Sequence, residues 1–173
     1  MTLNWKNDQI LIKDNFFSEE ILSKVHIELP NLNFTNRYAD HKDRTSYNKI
    51  YFNCPLSSDH YLVEELKNIL LKDYNIIYKK MESAYFLSTK NNLPTPHTDP
   101  CELNVLIYLK GNCLMHNGTG IYEQNNLNTH IGFKENRAIL FNGAKYIHAS
   151  LQSYEQEASP RYVMANFLNN YDK

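Results

Sequence analysis

His97-Thr98-Asp99-Pro100-Cys101-Glu102-Leu103-Asn104-Val105-Leu106-Ile107-Tyr108-Leu109 places two metal-ligating side-chain types one residue apart, just ahead of a run of branched and aromatic residues. The run has strand length and composition, and the Pro-rich turn Pro94-Thr95-Pro96 breaks the chain before it. The tract therefore predicts an apolar strand that starts beside His97 and Asp99. Outward from it, further short segments of the same character lie at residues 76–87, 137–141, 146–150 and 161–168. Breaks fall at Lys90-Asn91-Asn92-Leu93-Pro94, Gly111-Asn112, Asn117-Gly118 and Asn142-Gly143. Many short strands separated by Gly/Asn turns predict a sandwich or jelly roll. In a jelly roll, the start of the central strand lies beside the mouth of the barrel.

The N-terminal third has a different pattern. Residues 9–12 predict a short strand, followed by the turn-prone Lys13-Asp14-Asn15. Ser18 can cap a helix whose first turn carries Glu19 and Glu20, both favourable at the positive helix end. Ile21, Leu22, Val25 and Leu29 recur at helical spacing, and Pro30-Asn31 ends the pattern. A second helix is expected to start near Ser58 or Asp59, with Leu62, Val63, Leu66, Ile69 and Leu70 as its core stripe. The expected fold class is mainly β (α+β): a double-stranded β-helix, or jelly roll, with N-terminal helices packed on one face. No repeat, low-complexity tract or linker divides the chain, so residues 1–173 are expected to form a single domain.

A net charge of −1 gives no bulk affinity for nucleic acid or an anionic membrane. Neither a signal-peptide core nor a membrane-length apolar stretch is present. Cys54, Cys101 and Cys113 are odd in number and lack CxxC spacing, which argues against a disulfide framework and a zinc finger and for a reducing, cytoplasmic location.

A His-x-Asp triplet alone is weak, arising by chance in about one chain in three of this composition. His41-Lys42-Asp43 is a second one, in a charged stretch that reads as a solvated loop. His97-Thr98-Asp99 differs because a strand follows it, a further histidine, His148, comes 49 residues after Asp99, and Arg161 comes 13 after that. Two imidazoles and a carboxylate can occupy one face of an iron ion and leave the opposite positions open. Arg161 can reach the same pocket from the next strand and grip the far carboxylate of a diacid at two points. The set suggests a non-haem Fe(II) oxygenase that uses 2-oxoglutarate.

The chain resembles the Fe(II)/2-oxoglutarate-dependent dioxygenase superfamily, in its prolyl-4-hydroxylase-like branch. Ile12-Lys13-Asp14-Asn15-Phe16-Phe17-Ser18-Glu19-Glu20 resembles the branch's first strand and helix, and His97-Thr98-Asp99 its metal dyad. Ile107-Tyr108-Leu109 resembles the following strand, which often carries a tyrosine touching the cosubstrate. Asn117-Gly118-Thr119-Gly120-Ile121-Tyr122 resembles a strand pair usually opened by two adjacent glycines, the first replaced here by Asn117. Arg137-Ala138-Ile139-Leu140-Phe141, Tyr146-Ile147-His148 and Arg161-Tyr162-Val163 resemble the distal strands with the second histidine and the cosubstrate anchor.

The resemblance implies Fe(II) on His97, Asp99 and His148, and 2-oxoglutarate held by Arg161 and Tyr108. With O2 the products would be succinate, CO2 and a hydroxylated peptidyl side chain, amino acid or other small molecule. Asp99 argues against halogenation, because family halogenases lack that carboxylate. Tyr85 is a candidate pocket residue, with a core position as the competing reading. His116 reads as a loop histidine, Arg44 as a surface residue with a possible substrate contact as its alternative, and Arg137 as a structural ion-pair partner. The competing functional reading is a non-catalytic jelly-roll binding module that retains the metal site. A metal-dependent isomerase, or a dioxygenase without cosubstrate, would leave Arg161 unexplained. The His-x-His of cupins and the His-Glu-x-x-His of zinc hydrolases are absent.

Overall fold

The computed structural model describes residues 9–36, 52–88, 95–114, 117–124, 126–151 and 160–169. His41, Asp43, Arg44 and His116 lie outside the described residues. In chain order the elements are β1 (Leu11–Lys13), α1 (Glu19–Glu28), β2 (Thr35–Asn36), β3 (Phe52–Leu56), α2 (Tyr61–Tyr74), β4 (Lys80–Ser88), β5 (Leu103–Lys110), β6 (Gly118–Glu123), β7 (Asn126–Gly132), β8 (Arg137–Phe141), β9 (Ile147–Leu151) and β10 (Arg161–Asn169).

Ser18 caps α1 as expected, its Oγ accepting from the Ile21 amide at 3.3 Å, and a 3-10 turn at Leu29–Asn31 takes up Pro30. The start of α2 corrects the expectation of Ser58 or Asp59. Those residues form a turn closed by the His60 amide on the Ser57 carbonyl (3.1 Å), and His60 itself is the cap, its Nδ1 accepting from the Leu62 amide. Asn75 ends α2 in the left-handed region (φ 53°), and the following Ile76 amide donates to Leu70 O. That use of Ile76 also explains why β4 begins at Lys80 rather than at 76. β1 likewise lies two residues later than the first residue predicted for it.

Seven antiparallel strands form one sheet in the order β1-β8-β5-β10-β4-β3-β2, and a second sheet has the order β7-β6-β9. The two layers make the jelly roll. β5 lies third in the large sheet and is covered on both faces, which is why its sequence is an almost unbroken apolar run. Val105, Ile107 and Leu109 join the core beneath the helices, together with Val25, Leu62, Leu66, Leu70, Leu140 and Met164. Tyr108 faces the other way, into a second cluster between the sheets with Ile121, Ile131, Phe133, Ile139, Phe141 and Val163. The helices thus close one face of the large sheet, and the space between the sheets remains for a site. Among the described residues no helix is long and apolar enough to cross a membrane.

Candidate metal centre

His97 and His148 meet through the backbone first. They form an isolated antiparallel bridge, with the His97 amide 3.0 Å from the His148 carbonyl and the reverse pair at 2.8 Å. Asp99 is fixed by the turn after β8, where its amide donates to the Gly143 carbonyl at 3.0 Å. Glycine is required at 143 by close approach: a Cβ there would lie 2.5 Å from Cys101 Sγ and 3.3 Å from Asp99 Cβ.

The side chains then converge. Asp99 Oδ2 lies 3.1 Å from His148 Nε2, and Asp99 Oδ1 lies 3.6 Å from His97 Nε2. One ligand atom from each residue falls within 4.8 Å of the others. His97 Nδ1 is 2.8 Å from the Thr95 carbonyl, and His148 Nδ1 is 3.1 Å from the Tyr146 carbonyl. A carbonyl only accepts, so each Nδ1 carries a proton, and in the neutral ring each Nε2 then presents a lone pair. Two lone pairs and a carboxylate facing one another at these distances repel unless a cation lies among them. The donor set fits a divalent metal ion, and the carbonyls that orient the rings are the usual outer support of such a site. Asn104, fully buried on β5, donates from Nδ2 to Asp99 Oδ2. Phe141 packs edge-on against the His148 ring at 4.8 Å between centroids. His97 is the open side of the cluster: its side chain is 45% exposed, against 6% for His148.

A cavity of about 470 Å³ runs from these residues between the sheets. Arg161 lines it from β10 and is buried (4% exposed). Its Nη1 donates to Asn117 Oδ1 (2.9 Å), Gly118 O (2.6 Å) and Leu151 O (2.9 Å). Its Nε is buried without a partner, and no described carboxylate pairs with the guanidinium. Burial pulls this guanidinium below its ordinary value, with Tyr108 acting in the opposite sense. Arginine keeps its proton in water's range, so the result is a buried cation whose Nε has no partner among the described residues. Gly118 lets β6 lie close to β7: its φ is +150°, and a Cβ there would run into the Ile131 carbonyl.

Tyr108 also lines the cavity, stacked on Phe133 at 4.9 Å, with the Arg161 guanidinium carbon 5.8 Å from its ring centre. Its hydroxyl donates to Thr119 Oγ1 at 2.7 Å. The structure thus gathers His97, Asp99, His148, Arg161 and Tyr108 around one cavity. Tyr85 is the exception. It points to the opposite face of the large sheet, fully buried under the helices, and its hydroxyl donates to Glu28 at 3.1 Å. Its β4 neighbour Phe86 lines the cavity instead, because successive strand residues face opposite ways. Arg137 is the structural partner the sequence predicts, bound to Asp14 through Nε (2.6 Å) and Nη2 (3.1 Å). Asn104, Asn117 and Thr119 were not singled out as site residues. Asn104 carried one signal, as a lone polar residue within an apolar strand.

Sequence comparison finds no matching family model and no matching curated protein. Structural comparison finds the fold. A prolyl-4-hydroxylase from Pseudomonas putida superposes with a TM-score of 0.68 at 8% identity, over 93% of this chain and 92% of that one. A prolyl hydroxylase from Trichoplax adhaerens, in complex with a hypoxia inducible factor oxygen degradation domain peptide fragment, gives 0.67 at 17% identity, over 93% and 83%. HygX from Streptomyces hygroscopicus, with nickel, 2-oxoglutarate and hygromycin B bound, gives 0.66 at 12% identity, over 94% and 83%.

Proposed function

We propose that this protein is a non-haem Fe(II)- and 2-oxoglutarate-dependent oxygenase, one domain over residues 1–173, that hydroxylates a peptidyl side chain, an amino acid or another small molecule. The observation that carries the reading is a single cavity with two complementary ends. At one end His97, Asp99 and His148 converge as a cation site; at the other the buried Arg161 awaits an anion. A binding module would gain nothing from a buried cation without a counter-charge, which costs several kcal/mol in effective desolvation.

In this reading His97, Asp99 and His148 hold Fe(II), Asn104 keeps the Asp99 carboxylate in place, and Arg161 orients the diacid by its far carboxylate. Bound iron and cosubstrate supply the oxidation, in which O2 converts 2-oxoglutarate to succinate and CO2 and places one oxygen atom on the substrate. Leu106, Phe86, Val163 and Phe167 keep water from the reacting groups. Among the described lining residues, every charged or imidazole group belongs to the metal or anion end. The substrate end is walled by Phe86, Pro96, Pro100, Ala165 and Phe167, which suits an uncharged reacting group. Two of the similar solved structures hold a peptide fragment and hygromycin B, which supports a peptide or another small molecule as the substrate class. The three free cysteines agree with a reducing, cytoplasmic setting.

The test is anaerobic titration of metal-free protein with Fe(II) and then 2-oxoglutarate, following the visible charge-transfer band of the chelate. A saturable band is expected, absent in Asp99→Ala and His148→Ala with the fold retained, and shifted to higher 2-oxoglutarate in Arg161→Ala. Folded, iron-loaded protein without a band would favour a module that binds through its cavity and does no chemistry.

A further inference from the structure

Between β8 and β9 the chain reverses through residues 142–146, and this one turn reaches both stretches that carry the metal cluster. The Gly143 carbonyl accepts from the Asp99 amide (3.0 Å), and the Ala144 amide donates to the Cys101 carbonyl (3.0 Å). The Tyr146 carbonyl lies 3.1 Å from His148 Nδ1, and His148 carries His97 through their backbone bridge. Asn142 closes the turn: its carbonyl accepts from the Tyr146 amide (3.1 Å) and its Oδ1 from the Lys145 amide (2.9 Å). Asp99 and His148 therefore stand on two facing segments, and the gap between those segments sets how far apart they are.

One side chain occupies that gap. Cys101 is 2% exposed, and its thiol takes the space that a side chain at 143 would need. A Cβ on Gly143 would lie 2.5 Å from Cys101 Sγ, 3.1 Å from Cys101 O and 3.3 Å from Asp99 Cβ. The backbone at 143 makes no such demand, since the described glycines with positive φ are Gly111 and Gly118. Glycine is kept at 143 for room alone. In a close-packed interior an extra methyl group is relieved by moving backbone, and the backbone that would move here is the one that carries Asp99. Cys101 is not itself a ligand, because the converging donors are those of His97, Asp99 and His148.

Resting on the reading of those three residues as a divalent-metal site, we propose that Cys101 and Gly143 are a positioning pair. The thiol packed against the bare Gly143 Cα sets the spacing of the two segments, and with it the Asp99–His148 separation on which metal affinity depends. The pair touches neither substrate nor reacting atoms and acts through Asp99.

The experiment titrates metal-free protein with Co(II), whose visible bands report ligand geometry, and follows urea unfolding of the same variants without metal. Gly143→Ala should weaken Co(II) on the order of tenfold or more, the scale of other supports outside the ligand set, and alter its bands. Cys101→Ala keeps both backbone hydrogen bonds and should cost less. In the double variant Gly143→Ala with Cys101→Ala, the new methyl takes the place of the lost thiol, and affinity should return at least to that of Cys101→Ala. Gly132→Ala, where a Cβ meets nothing within 4 Å, should bind as the wild type does. A double variant no better than Gly143→Ala, or wild-type affinity and bands in Gly143→Ala, overturns the pair. Recovered stability without recovered Co(II) affinity also overturns it, because a purely structural contact would behave that way. Should Gly143→Ala not fold, Cys101→Val crowds the same gap from the other side and must weaken Co(II) in turn; wild-type affinity there overturns the proposal. A wild type that binds no Co(II) rejects the metal-site reading itself, a result distinct from any variant effect.

Discussion

Asn104 is a buried amide whose Nδ2 serves Asp99 and whose Oδ1 has no partner. A polar side chain is kept at such a position when it orients something, here the second oxygen of the Asp99 carboxylate. Asn104→Ala should leave the fold intact and lower Fe(II) affinity by roughly 10–100-fold, as for other outer-shell partners. Competition with a coloured chelator measures it, and wild-type affinity would mean that the Asp99 backbone contact alone sets the geometry. Asn117 teaches a related lesson. It stands where the resembling family writes glycine, a mismatch when only the motif is read. In the structure its Oδ1 accepts from Arg161, its Nδ2 donates to Asn112 O, and its own φ is not positive. The departure adds an acceptor for the buried cation without straining the backbone.

Among the elements, those shaped by burial were legible and those shaped by partners were not. β5 and β8 fall on the predicted residues because an apolar strand carries its own signal. β7 was missed: Asn126 to His130 are exposed and, Leu127 apart, polar, and the segment is a strand only because β6 offers it a ladder. The α2 cap was misplaced because His60 is an unusual cap, held there by its bond to Glu28 at 2.9 Å. The convergence of His97, Asp99 and His148 was legible in order and spacing. Asn136 shows how one side chain joins elements. At φ 61°, buried, it exchanges two 2.8 Å bonds with the Phe17 backbone while its amide donates to Tyr108 O at 2.7 Å. Asn136→Ala should destabilise the protein by about 2–4 kcal/mol, combining a left-handed residue with two orphaned backbone groups. Urea unfolding measures it, and a loss under about 1 kcal/mol would show that packing and the Phe16 amide bond to the residue-136 carbonyl suffice to hold the segment.

For the whole molecule, the Asp14 cluster sets a pH dependence. The Arg137 hydrogen bond, then that of Lys134, holds the Asp14 carboxyl well below the usual carboxylate range. A depressed folded value makes its contribution complete above the unfolded value of about 4 and progressively lost as pH falls below it. Asp14→Asn should therefore be less stable than wild type at pH 7, and the gap should close on acidification toward pH 2. The carboxyl is a third exposed, so solvent screening keeps the gap modest. Parallel unfolding curves at both pH values would exclude the cluster as a source of acid sensitivity.

The alternation along β5 and β10 has a consequence for how such a protein can change over time. Odd residues of β5 serve the helix-covered core and even ones face the cavity side, while on β10 the parities are exchanged. Point substitutions on the cavity parity can drift through new substrate preferences while the scaffold stays neutral to them. A one-residue insertion or deletion within either strand exchanges the two sets at once, with core residues facing the cavity and polar ones under the helices. Descendants of this chain should therefore vary freely in side chain at positions such as 86, 165 and 167, and keep the length of these strands invariant. Insertion scanning should find β5 and β10 intolerant at every position.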